Sequence, residues 1–170
     1  MSFKLFPSEY CKSTYMIDFE KYYNEGYRGI IFDIDNTLVP HNAMHDERSL
    51  ELFKKLKELG FKYCFVSNNK EPRVKEFSDP IDGCYVYKAG KPKKDGYLEA
   101  MRLMGTKRRN TFFVGDQLFT DIWGANKARL HNILVKQVAF HEEIQIYLKR
   151  IIEKPILWIY LIKEKLKNRK

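Results

Sequence analysis

Cysteine is scarce in this chain. Three occur in 170 residues, Cys11, Cys64 and Cys84, an odd number at wide spacing with no CxxC pair. A disulfide framework is thereby disfavoured and a reducing cytosol is the natural setting. Cys64 and Cys84 lie inside apolar runs and read as small core residues. Long apolar runs are also missing. No stretch reaches the roughly 18–20 residues that span a bilayer, and the opening MSFKLFPSEYCKS has no apolar signal core, so the expected location is cytoplasmic. Repeats and low-complexity segments are absent. Acids are the minority charge: 22 Asp and Glu face 31 Lys and Arg, a formal net charge of +9. That balance favours anionic partners, whether nucleic acid, phosphorylated substrates or an anionic lipid surface, and does not choose among them.

What is present describes a folded protein. Hydrophobic residues make up 44% and aromatics 15%, which argues against global disorder and for one domain with a real core. Five apolar runs read as strands: Gly29 to Ile34, Phe61 to Val66, about Gly83 to Tyr87, Thr111 to Val114, and Asn132 to Val135. Helical spacing intervenes. Asp46 to Leu59 carries Leu50, Phe53, Leu56 and Leu59 three and four apart, with Asp46 as N-cap and Gly60 as terminator. Shorter helices are expected near Arg73 to Phe77, Lys94 to Leu103 and Phe119 to Ala128. Strands alternating with helices predict an α/β fold, a mostly parallel sheet with helices on both faces. Ligands of such sheets bind beyond the carboxyl ends of the strands.

Polar residues follow those strand ends four times: Asp33 and Asp35, then Ser67 and Asn68, then Lys91, then Asp116 and Asp121. Aspartates after strands are also ordinary turn-formers, Ser67 also suits a helix cap, and Asp121 suits the first turn of a helix. Brought together, however, four carboxylates need a counter-charge. A hard divalent cation such as Mg²⁺ takes oxygen ligands of this kind. One carboxylate can then attack phosphorus and a second can move the leaving group's proton. Ser67 and nearby backbone N–H groups can bind the phosphoryl oxygens, and Lys91 can supply a fixed cation.

The sequence DIDNT (Asp33–Thr37) resembles motif I, DxDxT, of the haloacid dehalogenase (HAD) phosphatases. The strand ending in Ser67 resembles motif II, Lys91 in GKPKKDGY motif III, and GDQLFTD (Gly115–Asp121) motif IV. The four motifs keep the family's order and span residues about 28 to 135. The resemblance implies a Rossmann-like HAD core and the following roles. Asp33 is the nucleophile and a metal ligand. Asp35 is the general acid/base, with its backbone carbonyl on the metal. Thr37 orders the motif I turn, and Ser67, with Asn68 beside it, binds the phosphoryl group. Lys91 neutralises nucleophile and phosphate, Asp116 is a direct metal ligand, and Asp121 supports the metal shell. The cofactor implied is Mg²⁺.

Neither Leu38 to Phe61 nor Asn69 to Lys91 has room for a cap domain, so the site should be open, as in family members that act on large or membrane-borne phosphates. His41 and His45 in HNAMH lack a third ligand and read as a solvated loop. Residues 1–140 are expected to form the capless phosphatase domain and 141–170 a basic amphipathic helical tail. That tail holds eight Lys and Arg against four Glu, an apolar stripe at Ile144, Leu148, Ile151 and Ile152, a restart at Pro155, and the apolar PILWIYLI. An interfacial anchor for an anionic membrane, a helix packed on the sheet and a dimer interface all remain open for it. The N-terminal LFPSEY…STYMIDFEKYYNEGYRGIIFDIDNTLVP resembles the YqeG-type class IIIA HAD phosphatases, the group that includes mitochondrial-type phosphatidylglycerophosphatases. The substrate class implied is a lipid phosphate. A nucleotide or nucleic-acid phosphate is the alternative, although no basic groove motif supports nucleic acid, and a non-catalytic HAD scaffold is the third reading.

Overall fold

The structure, a computed structural model, describes residues 5–138 and 144–167, with side chains in the last segment from 153 to 166. Six parallel strands form one sheet: β1 (Glu9–Cys11), β2 (Gly29–Phe32), β3 (Lys62–Val66), β4 (Cys84–Val86), β5 (Thr111–Gly115) and β6 (His131–Val135), in the order β1-β6-β5-β2-β3-β4. The helices are α1 (Phe19–Asn24), α2 (Glu47–Leu59), α3 (Glu71–Ser78), α4 (Asp95–Met104), α5 (Trp123–Lys127) and α6 (Ile144–Lys167).

Strand pleating divides the core. Ile30, Phe32, Tyr63, Phe65, Phe112 and Val114 face α1, α2 and α3. Ile31, Cys64, Val66 and Phe113 face α4 and α5 on the other side. Being apolar on both faces, these strands are wholly interior, the condition a parallel sheet requires. The chain runs outward from β2 through β3 to β4, then returns to lay β5 on the other flank of β2. The strand order therefore reverses between β2 and β5, and such a switch point opens a crevice beyond the carboxyl ends. Asp33 and Asp116 directly follow those two strands.

Several details differ from the sequence reading. β1 was not anticipated. It is three residues long, too short to show a period, and takes its place only by pairing with β6. In α2 the buried positions are Leu52, Phe53 and Leu56, whereas Leu50 is exposed; Ser49 takes the inward place because it closes the capping box with Asp46. Gly60 does end this helix, in the left-handed region at φ 89°. The expected Phe119–Ala128 helix opens instead as a π turn, Leu118–Ile122, before α5. Pro155 does not restart the tail, because α6 is continuous through it.

The tail's inner face docks. Ile156 and Leu157, like Tyr10, pack against the cluster of Leu118, Ile122 and Leu134, Tyr160 lies against Phe6, and the Glu153 carboxylate accepts the Phe119 N–H at 3.3 Å. The expected stripe at Ile144, Leu148, Ile151 and Ile152 involves side chains outside those described, as does the basic end beyond residue 167. No described helix is long and apolar enough to cross a membrane.

The N-terminal segment braces the first motif. Thr14 Oγ1 donates to the Thr37 carbonyl at 2.7 Å and Tyr15 Oη to the Leu38 carbonyl at 2.6 Å. Thr14 is 1% exposed. Thr14→Val keeps the shape and strands a buried carbonyl, so it should cost about 1–3 kcal/mol in urea unfolding. A loss under a few tenths would mean that the brace is unimportant.

Candidate active site

After β2 the backbone folds tightly. Thr37 N and Leu38 N return to the Ile34 carbonyl, and Asn36 N donates to Val39 at 2.7 Å. Asn36 stands at φ 63°, a left-handed conformation that Asn tolerates better than most residues. This turn holds Asp33 at the sheet edge, its N–H donating to the Val114 carbonyl at 2.9 Å.

Around Asp33 the polar groups close on one another. Lys91 Nζ donates to Asp33 Oδ1 at 2.6 Å and to Asp121 Oδ1 at 2.7 Å. Thr37 Oγ1 lies 3.1 Å from Asp33 Oδ2 and 3.2 Å from Asp116 Oδ1, so its single proton is shared between two carboxylates. Asp121 Oδ2 accepts the Gln117 N–H at 3.0 Å. Gly115 permits this approach: a Cβ there would stand 2.8 Å from Asp121 Cβ and Cγ and 2.6 Å from Phe113 Cε1. Tyr97 supports the same turn from below, Oη donating to the Asp121 carbonyl at 3.0 Å.

Electrostatics follow from burial. Asp33, Lys91, Asp116 and Asp121 are all buried. Burial pushes Asp33 up to about 7; Lys91 pulls against this and Asp121 adds to it. Burial also opposes the Lys91 charge, but the carboxylates of Asp121 and Asp33 outweigh it and drive its pKa upward. Lys91 is therefore a fixed cation.

Carboxylate oxygens of Asp33, Asp116 and Asp121 come within 4.8 Å of one another. Three carboxylates and one ammonium leave an excess of two negative charges in a buried space. An all-oxygen donor set of that charge suits a hard divalent cation. Asn36 adds a second sign of a missing partner: its Oδ1 is buried without a hydrogen bond among the described residues, and the residue lines the cleft.

The remaining sequence candidates divide. Ser67 Oγ accepts from Asn69 N at 3.1 Å, which leaves its proton to donate into the cleft. It does not cap α3, whose N-cap is Lys70. Asn68 lines the cleft, but its amide is engaged with Lys91, Oδ1 accepting the Lys91 N–H at 2.8 Å and Nδ2 donating to its carbonyl at 3.3 Å. It thus fixes the lysine. His41 lines the cleft too. His45 is half-buried and does not line it: its ring stacks on Phe77 at 3.9 Å and bonds the Phe77 carbonyl and Ser49 Oγ. Asn69 and Arg73 were missed. Both reach Asp35, and the doubled Asn after Ser67 was their nearest sequence signal.

The cleft measures ≈ 190 Å³, below the roughly 300–1,000 Å³ of pockets that enclose whole ligands. It is too small to enclose a large ligand whole. Between motifs I and II the chain contributes only a loop and α2, and between motifs II and III only α3, a short 3₁₀ turn and β4.

Known proteins share this architecture. The family profile for haloacid dehalogenase-like hydrolases matches residues 41–129. The probable phosphatase YqeG of Bacillus subtilis is 40% identical over 152 residues, 89% of this chain and 88% of that protein. Two solved structures share the fold at low identity. An uncharacterized protein from Listeria monocytogenes serotype 4b is 19% identical with a TM-score of 0.55, over 69% of this chain and 84% of that one. The cobalt-bound deoxy-D-mannose-octulosonate 8-phosphate phosphatase of Haemophilus influenzae is 14% identical with a TM-score of 0.53, over 65% and 69%. A family profile that matches residues 41–129 and a relative 40% identical over 89% of the sequence place the chain in the haloacid dehalogenase-like hydrolase family.

Proposed function

We propose that this hydrolase is a Mg²⁺-dependent phosphomonoesterase that works through an aspartyl-phosphate on Asp33, with a lipid phosphate such as phosphatidylglycerophosphate as substrate. The observation that carries the chemistry is the buried set of Asp33, Lys91, Asp116 and Asp121 at the switch point, in which Lys91 bonds Asp33 at 2.6 Å and Asp121 at 2.7 Å and Thr37 links Asp33 to Asp116. Asp33, Asp116, Asp121 and the Asp35 carbonyl would hold the cation. When bound, it neutralises charge on the phosphoryl oxygens. Ser67 Oγ–H and Lys91 bind those oxygens. Asp33 attacks phosphorus as the bond to the leaving oxygen breaks, and Asp35 protonates that oxygen. Asp35 then takes a proton from water as the water attacks phosphorus, releasing phosphate and restoring Asp33.

The lipid reading draws on the shallow cleft and on α6. The domain of residues 1–140 would carry the chemistry and the tail of 141–170 would hold it to a surface. Trp158, Ile159, Ile162 and Leu166 are 66%, 45%, 37% and 60% exposed. At 100° per residue they fall on one stripe, with Lys154 and Lys165 on one side and Lys163 on the other. Apolar residues flanked by lysines suit an anionic bilayer surface. The opposite face of the helix abuts the turn whose Gln117 and Thr120 line the cleft, so α6 would link a bound surface to the site. The protein would then be cytoplasmic and peripherally membrane-associated.

Replacing Trp158 and Ile162 together by Glu tests this. Phosphate release from vesicles containing phosphatidylglycerophosphate should fall at least about tenfold, since each large side chain contributes roughly 1.5–3 kcal/mol on burial. Turnover of soluble p-nitrophenyl phosphate should hold. Equal activity on vesicles would remove α6 from the reading. Turnover of soluble but never vesicle-borne phosphates would remove the lipid substrate, and preferred release from end-labelled oligonucleotides would favour the nucleic-acid alternative that the +9 charge allows.

A further inference from the structure

Asp35 is held differently from the other acids. It is not part of the Asp33–Asp116–Asp121 group. Its Oδ1 accepts from the Asn42 N–H at 2.8 Å and from Arg73 Nη2 at 3.1 Å, while its Oδ2 accepts from Asn69 Nδ2 at 2.7 Å. His41 Nδ1 stands 3.9 Å from Oδ1. A carboxylate oxygen has two acceptor positions. Both are filled on Oδ1, whereas Oδ2 keeps one among the described residues.

The geometry points to Arg73 and Asn69 as positioning residues that aim Asp35 for proton transfer, with the travelling proton carried at Oδ2. The inference rests on the acid/base role proposed above for Asp35.

Arg73 is itself held by several contacts. It sits on α3, whose Val74, Phe77 and Ser78 are buried. Its guanidinium lies 5.5 Å from the Phe77 ring centroid, one helical turn along. The same Nη2 that reaches Asp35 also donates to the Ala43 carbonyl at 2.7 Å. One nitrogen therefore ties α3, the loop after motif I and the proposed proton donor together. Asn69 approaches from the motif II turn, where its N–H is fixed by Ser67 Oγ. The carboxylate is thus gripped from two motifs at once and cannot rotate about its Cβ–Cγ bond without breaking charge-assisted bonds. Proton transfer depends on such alignment, and correctly placed acid/base groups contribute about 10²–10⁴-fold.

In chemical terms, an Asp33 carboxylate oxygen bonds phosphorus as the bond to the leaving oxygen breaks with its electron pair on that oxygen, which takes the proton from Oδ2. In the second half the water oxygen bonds phosphorus, the bond to Asp33 breaks and restores its carboxylate, and the proton of the water returns to Oδ2. A nitrophenolate leaving group needs no proton, but an alkoxide does. The second half needs Asp35 whatever the substrate.

Asn69→Ala and Arg73→Met are compared with Asp35→Asn in the full-length Mg²⁺-loaded protein, using p-nitrophenyl phosphate and glycerol phosphate. With the aryl ester both positioning variants should release the first equivalent of nitrophenol at close to the parental rate and then turn over about 10- to 100-fold more slowly, a burst sharper than any the parent shows. With the alkyl ester the first turnover itself should slow about 10- to 100-fold, with KM little changed. Arg73→Lys should recover part of the loss. A parental profile in both variants overturns the inference while leaving Asp35 in place if Asp35→Asn is slow. Slowing of the nitrophenol burst as much as the steady state also overturns it, since general damage acts on both. If Arg73→Met fails to fold, Asn69→Ala, which leaves the Ala43 tie intact, decides alone. A parental Asp35→Asn removes the acid/base reading and this inference with it.

Discussion

Asp33→Asn is expected to lower phosphate release from every phosphomonoester by at least about a thousandfold, because no other carboxylate stands ready to attack. The same change should make the metal-free protein melt at a higher temperature at pH 8. Burial holds the Asp33 pKa near 7 in the fold, against 3.8 as its ordinary value. A raised carboxyl pKa means that the folded state binds the proton more tightly than the unfolded chain. Stability from this group is then full below pH about 4 and is lost as pH rises toward 7. Above 7 the ionised Asp33 is a cost of folding that asparagine removes, while its amide oxygen still accepts from Lys91. At pH 5 Asp33 is largely protonated in the fold, so the gap in melting temperature between variant and parent should close. Saturating Mg²⁺ should reverse the order at pH 8, since the cation stabilises only the parental carboxylate. Thermal melts with and without the metal at the two pH values check all three statements. A variant that melts lower at pH 8 without metal would show that the Asp33 charge supports the fold.

The sequence disclosed what depends on chain-local pattern. Apolar runs marked β2 to β6, and polar residues past the ends of β2, β3, β4 and β5 marked Asp33, Ser67, Lys91 and Asp116, because strand ends in a parallel sheet must converge. β1 was invisible: three half-buried residues carry no period, and their role exists only in the pairing with β6. Leu50 misled because leucines at helical spacing name a stripe without saying which edge of it the sheet covers. His45 misled for a related reason. Its polar ring is engaged by Phe77 and Ser49, partners four to thirty-two residues away that spacing cannot announce. Asn69 and Arg73 lie 34 and 38 residues from the carboxylate they hold. Only the doubled Asn after Ser67 hints at Asn69, and nothing local distinguishes Arg73 from other polar residues at the start of a helix. Pro155 signalled a break, but a helix with one face against Leu118, Ile122 and Leu134 tolerates the lost hydrogen bond.

Lys91→Met is expected to be the most destabilising single change at the site, costing about 3–5 kcal/mol in the metal-free protein near pH 8. That is a large share of the roughly 5–15 kcal/mol by which proteins of this kind are stable. Methionine fills nearly the same volume, so packing does not account for the loss. The lysine side chain is 4% exposed, and its two partners, Asp33 and Asp121, are 9% and 0% exposed. Without the ammonium, three buried carboxylates within 4.8 Å face one another with no cation. The penalty should shrink as pH falls, because protonating Asp33 removes one of the repelling charges, and the missing lysine moves that protonation to still higher pH. Added Mg²⁺ should recover part of the stability and none of the turnover, since the cation replaces the charge but not the donor to Asp33. Pairing the change with Asp121→Asn should cost less than the sum of the two single changes, the signature of a direct charge contact. Urea unfolding of the four proteins in that cycle decides the matter. Strict additivity would mean that Lys91 contributes by packing rather than by holding the carboxylates together.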